Sequence, residues 1–365
     1  MINTDIIPEL NNKDYIDKLT EKYDIGFCPI DKVEDLVLFI DKYWKKDHIF
    51  VLSRKLLDWQ HLDKKNNRYN FVIATDKNTK EIHSILGFVT TSQYDDKINN
   101  TLAWACIWKV RDEISVKGLG VSLYHYLKCN LKPETLCVLG ISKETVGIYQ
   151  KWNFKTGEMN HYYILNDSLN DYKILKNYEN IPKCFDSPAN TDKTFKKCNK
   201  DEFKKLDYGS FTSKNIYKSK DYYINRFFEH PMYKYEAVAI YSEDIVIGVL
   251  FYRISEYNNA KALRIVDYIG KADTLIGCID CFKEIILEYN AEYIDVINFG
   301  ITNEVFNKAG FMNKADGDLI IPNYFEPFVL ENIPLEYAFK TISKDSECIF
   351  FKADADQDRP SMLKE

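Results

Sequence analysis

The chain of 365 residues predicts an α+β protein built as two tandem units, each a mixed central sheet flanked by helices. Three observations carry that prediction. Strand-like and helix-like periods alternate along the chain, the same order of elements recurs in its second half, and a single core stops growing at about 250–300 residues. With 45% apolar residues and only 14 Gly and 10 Pro, the chain can fill two cores and falls outside the collagen-like, low-complexity and disordered classes.

Apolar residues at helical spacing (Val33, Leu36, Phe39, Ile40, Tyr43, Trp44) predict a helix from Asp31 to about Asp58, with another around Arg54 to His61. Tyr69 to Ala74 and Ser84 to Ser92 read as strands around a polar turn, and Leu102 to Val110 as a third. At Gly118 and Gly120 the period switches from two to 3.6, opening a helix that packs through Val121, Tyr124 and Leu127. Leu136 to Ile141 (strand), Glu144 to Trp152 (helix) and Tyr162 to Leu165 (strand) complete a first domain, residues 1–168. The polar stretch 169–195, with Pro182 and Pro188, reads as a linker.

The second cycle, 196–345, runs through helices at Lys200 to Leu206 and Asp221 to Phe228. It continues with a hairpin (Tyr235 to Tyr241, Ile245 to Ile254), a strand Ala262 to Ile269 and a helix Thr274 to Tyr289. A strand Tyr293 to Asn298 and a short helix Asn303 to Ala309 close it, and 346–365 is left as a C-terminal tail.

Composition narrows the partners. A net charge of −6 with Lys and Asp interspersed leaves no basic stripe for nucleic-acid phosphates. The longest apolar run, Ile245 to Tyr252, is far short of the roughly 20 residues that span a bilayer. The N-terminus lacks the basic start and apolar run of a secretory signal, and nine scattered cysteines suit a reducing compartment, so a cytoplasmic protein is expected. Cys278 and Cys281 have CxxC spacing without a second pair; they read as buried helix thiols, and no metal is expected.

Chemistry concentrates after Val110. Ser115-Val116-Lys117-Gly118-Leu119-Gly120 follows that strand residue and opens a helix. Gly118 and Gly120 would let an anion approach main-chain N–H groups closely at a helix start, where unpaired donors and the dipole favour negative charge. The segment Ile148-Tyr149-Gln150-Lys151-Trp152-Asn153-Phe154 lies downstream. Together these resemble the GNAT superfamily of acyl-CoA-dependent N-acyltransferases. Its phosphate loop is Arg/Gln-x-x-Gly-x-Gly/Ala, and its later motif Leu-Tyr-x-x-x-Gly-Phe. Ser115, Ser142 and Asn153 depart from the family residues at their positions.

The resemblance implies a two-domain enzyme that binds acyl-CoA (acetyl or longer) through Val110, Val116, Lys117, Gly118, Leu119, Gly120, Val121 and Ser122. Tyr149 would protonate the leaving thiolate, and a main-chain N–H near Val110 would hold the thioester oxygen. The second half repeats the ending at Val305 to Phe311 but has no Gly-x-Gly near Gly270 to Thr274, so that copy is expected to lack a coenzyme loop.

Segments Trp44 to His48, Leu56 to Gln60 and Asp354 to Pro360 resemble nucleotide-sugar N-acyltransferases of surface-polysaccharide and O-antigen pathways. The expected reaction is direct acyl transfer to the amino group of a nucleotide-linked deoxyamino sugar. Trp59 and Gln60 are candidates for sugar or base contact, Arg359 for a diphosphate, and His48, ahead of His61 and His125, for the general base. Trp59 and Gln60 also read as a buried helix face, and Asp354 to Arg359 as a solvated acidic tail. An acyl-cysteine route through Cys106 or Cys137, a peptide or aminoacyl acceptor, and a decayed coenzyme-binding protein are the alternatives.

Overall fold

The computed structural model describes residues 13–99, 101–178, 183–185, 193–211, 218–342 and 348–363. Numbering strands of four or more residues, the chain forms β1 Tyr23–Pro29, β2 Arg68–Asp76, β3 Ile82–Thr90, β4 Leu102–Val110, β5 Thr135–Leu139, β6 Lys155–Glu158 and β7 Asn160–Leu165. It continues through β8 Lys193–Lys197, β9 Glu236–Ser242, β10 Ile245–Tyr257, β11 Ala260–Gly270, β12 Tyr293–Phe299 and β13 Glu336–Thr341.

Two mixed eight-stranded sheets result, each in its own compact unit. The first runs β1-β2-β3-β4-β5-β13-β6, and the second runs from Met312–Asn313 through β7-β12-β11-β10-β9 to β8. In both, antiparallel neighbours surround one parallel pair, β4 with β5 and β11 with β12.

The units divide the chain differently from the sequence reading. Unit one is Met1–Gly157 with Glu336–Lys344 and Pro360–Glu365; unit two is Glu158–Leu335 with Asp345–Arg359. The cause is an exchange of strands. β7, expected to close the first domain, pairs with β12, where Tyr162, Tyr163, Ile164 and Leu165 are buried as an interior strand requires. β13, from the second cycle, pairs with β5 in sheet one.

The expected linker also belongs to unit two. Tyr172, Ile174, Leu175 and Cys184 lie in its core, and the Glu292 carboxylate accepts the N–H groups of Lys173, Ile174 and Leu175. Pro182 and Pro188 fall outside the described residues.

The expected helix from Asp31 is broken into short pieces: a 3-10 turn Ile30–Lys32, an α-helix Val33–Phe39, a π-turn Ile40–Trp44 and the helices Ile49–Leu52 and Arg54–His61. Unit two repeats the π-turn at Ile224–Phe228, directly after the helix Lys220–Tyr223. All nine cysteines are free thiols, with Cys278 and Cys281 buried. Among the described residues no helix is long and apolar enough to cross a membrane.

Candidate active site

The site begins where two parallel strands part. β4 pairs with β5 only from Leu102 to Ala105, yet keeps its pairing with β3 out to Val110. Beyond Ala105 the two strands therefore open as a V. A bulge follows at once: Leu86 faces Trp108 and Gly87 faces Cys106, leaving Ile107 extra at φ 31. That left-handed conformation costs a β-branched residue about 1–3 kcal/mol, strain of the kind that collects at functional sites. Gly87 is needed opposite, because a Cβ there would come within 2.7 Å of Phe71.

The bulge shifts side-chain parity, so Ala103 and Ala105 before it and Trp108 and Val110 after it face the helix Leu119–Leu131. The Arg111 N–H donates to the His83 carbonyl at 3.0 Å. By the alternation of an antiparallel ladder, the N–H groups of Trp108 and Val110 then turn away from β3 toward the V.

Above the V starts the helix Leu119–Leu131. Its N-cap is Gly118 at φ 69, with no side-chain cap. The Ser122 N–H is the first to be taken within the helix, by the Gly118 carbonyl at 2.9 Å, which leaves Gly120 and Val121 at the open donor end. Gly120 sits close against the strand: a Cβ would lie 3.1 Å from Val110 Cγ2 and 3.3 Å from Trp108 Nε1, so either neighbour would have to give by a few tenths of an ångström. Trp108 Nε1 donates to the Gly120 carbonyl at 3.1 Å and ties strand to helix. Lys117 is exposed at the rim, while Leu119 and Val121 are buried beneath it. Ser122 contributes no extra donor, since its hydroxyl donates to the Leu119 carbonyl at 2.6 Å.

On the same face, five rings gather under the V. Tyr124 stacks on Trp152 at 4.7 Å, Trp108 lies 6.2 Å from Tyr124 and 6.4 Å from Trp152, and Tyr149 meets Trp152 at 5.9 Å and Phe154 at 5.4 Å. Tyr149, on the helix Lys143–Lys151, is 4% exposed, and burial, with the Tyr124 phenol nearby, raises its pKa well above the ordinary tyrosine value. Its O–H is thus retained across the working pH range. Asn153 sits at φ 58, a left-handed conformation that Asn tolerates best after Gly, which accounts for Asn in the family's Gly place. The ring cluster escaped the sequence reading; Trp108 and Trp152 had been visible as large residues beside both motifs.

The other expected residues have different surroundings. His48 is buried and its Nδ1 accepts the Phe50 N–H at 3.3 Å, capping the helix Ile49–Leu52. Unit two repeats the device after its own π-turn, where His230 Nδ1 accepts the N–H groups of Met232 and Tyr233. The same ring nitrogen thus caps backbone N–H groups in both units. His61 is fully buried, with Nδ1 against the Phe88 carbonyl and Nε2 against Gln60 Nε2, both at 3.1 Å, which also uses the Gln60 amide. Trp59 packs on Tyr94 at 5.1 Å. His125 is exposed, Cys106 half-buried and Cys137 buried.

Arg359 belongs to unit two, 3.7 Å from Asp356. The acidic tail is not solvated: Asp354, Asp356 and Asp358 are buried.

That tail enters the V of unit two. β11 pairs with β12 from Ala262 to Ile265, and the register then shifts, leaving Val266 extra. Past this point Phe350–Phe351 pairs with Phe299 and Asn298 of β12, and Asn298 Nδ2 donates to the Phe350 carbonyl at 3.0 Å. Lys218, fully buried, bridges Asp267 of β11 (2.7 Å) and Asp354 of the tail (2.6 Å). Arg253 and the Tyr235 hydroxyl hold Asp358 at 2.8 and 2.9 Å.

At the phosphate-loop position the Tyr268 hydroxyl bonds Lys271 and Thr274, and the Gly277 N–H goes to the Lys308 carbonyl. A cavity of about 740 Å³ elsewhere in unit two is lined by Phe228, Met232 and Tyr233, and the lysines on its rim are each paired with a carboxylate (Lys197–Glu288, Lys200–Glu229, Lys234–Glu236).

No protein-family model and no curated protein sequence matches this chain. Solved structures do. A GCN5-related N-acetyltransferase from Anabaena variabilis is similar over 88% of this chain and 73% of its own, at 10% identity and a TM-score of 0.53. One from Kribbella flavida matches over 88% and 72%, at 11% identity and 0.51. A protein of unknown function from Enterococcus faecalis, described as a probable N-acyltransferase, matches over 88% and 73%, at 11% and 0.50. The chain therefore has the fold of GCN5-related N-acetyltransferases, as the glycine loop implied.

Proposed function

We propose that unit one is an acyl-CoA-dependent N-acyltransferase site and that the acceptor is the amino group of a nucleotide-linked deoxyamino sugar used in surface-polysaccharide synthesis. The observation that carries the first half is the pairing, in unit one, of an open strand V with an uncapped helix start at Gly118. Main-chain N–H groups at Gly120 and Val121 would hold the pyrophosphate, with Lys117 at the rim. The acceptor class rests on the resemblance of Trp44 to His48 and Leu56 to Gln60.

Strand β4 would supply a main-chain N–H, from Trp108 or Val110, to the thioester oxygen as negative charge develops there. The neutral amine attacks the carbonyl carbon, a C–N bond forms and the C–S bond breaks. The amine's surplus proton passes to water and the Tyr149 O–H hydrogen-bonds the departing sulfur. A phenol held this firmly neutral favours donation of a hydrogen bond over full proton loss, and any proton it gives returns from the medium, so the products are one amide and one thiol. Positioning supplies the rest of the acceleration, with no enzyme-bound intermediate.

The test is thiol release from acetyl-CoA with a panel of dTDP-linked amino sugars and, separately, peptide amines. Release with the sugars alone supports the whole reading; release with peptides alone moves the acceptor class; coenzyme binding without turnover of any amine would point to a decayed enzyme.

A further inference from the structure

The ring cluster bears on which acyl group unit one accepts, an inference that rests on the acyl-CoA reading just given. A thioester carbonyl is trigonal. With its oxygen on a β4 N–H and its sulfur beside Tyr149, the third substituent, the acyl chain, points toward the closed end of the V.

There Ala105 and Val138 face each other as the last parallel pair, 5% and 8% exposed, with Phe154 packed in the same cluster at 6%. On the helix face the rings stand 4.7–6.4 Å apart. A methylene chain lying between two ring surfaces needs about 4 Å on either side, so about 8 Å in all. The half-buried Trp152 is the ring that closes the gap between Trp108, Tyr124 and Tyr149, and its indole reaches the surface.

We infer that Trp108, Tyr124, Tyr149, Trp152 and Phe154 make unit one selective for short acyl groups such as acetyl, with Trp152 the ring that blocks a longer chain. Opening the cluster at Trp152 would leave a channel from the sulfur position to solvent, with the glycine loop and Tyr149 themselves unsubstituted.

Isothermal titration of the full chain with CoA, acetyl-CoA and octanoyl-CoA tests this without knowledge of the acceptor. The wild type should bind CoA and acetyl-CoA alike and octanoyl-CoA about tenfold or more weakly, the scale on which an apolar pocket grades chain length. Trp152→Ala should bring octanoyl-CoA to the level of CoA, while Trp152→Phe, which keeps a ring, should preserve the discrimination. Equal wild-type affinity for acetyl-CoA and octanoyl-CoA would overturn the inference and leave the coenzyme site standing. So would a Trp152→Ala protein that binds CoA but still rejects octanoyl-CoA. Failure of the wild type to bind CoA itself would remove the coenzyme site and the inference together.

Discussion

Unit one and unit two share a strand order, an opened parallel pair and a register shift beside the opening, and they differ in what fills it. In unit one the residue after the bulge is Trp108, which reaches up to Gly120; in unit two it is Asp267, which holds Lys218 and, through it, the tail. Tyr149 and Phe154 meet edge to face at 5.4 Å, and their counterparts Phe306 and Phe311 do so at the same 5.4 Å. Packing is kept and only the hydroxyl is missing.

Where unit one has Trp152 and then Asn153 at φ 58, unit two has Ala309 and then Gly310 at φ 91. The main chain of one fold can thus leave its V open or close it with the segment around Phe350–Phe351. The choice lies in a handful of side chains.

The largest effect expected follows from that plug. Lys218→Ala leaves two carboxylates buried without their ammonium, and removing one partner of such a buried cluster costs about 3–5 kcal/mol. All five tryptophans lie in unit one, so tryptophan fluorescence in a urea titration reads that unit and far-UV circular dichroism reads both. The dichroism midpoint should fall while the fluorescence midpoint holds. If the two fall together, the units unfold as one body and the division between them is only geometric.

Next in size is Tyr149→Phe, which gives unit one the side chain that unit two already has. Because Phe306 packs equivalently, the fold should survive. The rate constant kcat should drop about a hundredfold, with KM for the acyl-CoA unchanged. Steady-state kinetics with the acceptor identified by the panel above would measure it, and an unchanged kcat would reduce Tyr149 to a core residue. Smaller again is Gly118→Ala. A Cβ at φ 69 costs about 1–2 kcal/mol of local strain, and CoA affinity by titration should fall about tenfold.

Much of this architecture was legible before any coordinates. The bounds of β4 came out as read, and the glycine loop, the helix carrying Tyr149 and the recurrence of elements follow from periodicity and from φ requirements, which are local properties. Membership of a sheet is not local. Tyr162 to Leu165 reads as a strand, but nothing in four apolar residues says which sheet it will join. β6 and β8, lysine-bearing and largely exposed, show no alternation to detect. The tail misled for the same reason: its aspartates look solvated until Lys218 and Arg253, more than a hundred residues away, are seen to neutralise them. Trp59, Gln60 and His48 have the right chemistry for substrate contact; the structure buries Gln60 and His48 and leaves Trp59 half-buried, and a mixed polar and aromatic helix does not reveal which face turns inward.

The smallest prediction, a slope, probes Asp267, the residue in the place of Trp108. Burial pushes its carboxyl up to about 7 against the pull of Lys218. An unfolded carboxyl titrates near about 3.9, so between about 3.9 and 7 the folded chain holds a proton that the unfolded chain has lost, and acidification through that window stabilises unit two. Two histidines of the same unit act oppositely. Burial, then the charge of Arg226, lowers His230 to about 2, and burial lowers His161 despite its bond to Asp295. Below about 6.5 the unfolded chain takes up a proton that the buried His230 ring refuses, and His161 acts in the same direction, which destabilises the fold. The histidines and Asp267 therefore act with opposite signs on stability between about 6.5 and 4.5 in the wild type. Asp267→Asn removes the opposing proton, so its loss of stability on acidification should be steeper than the wild type's by about 1.4 kcal/mol per pH unit, the worth of one proton of difference, whatever its overall stability. Urea midpoints by circular dichroism at three pH values in that window measure it. An unchanged slope would mean that Asp267 is ionised in the folded chain and that Lys218 faces two full charges.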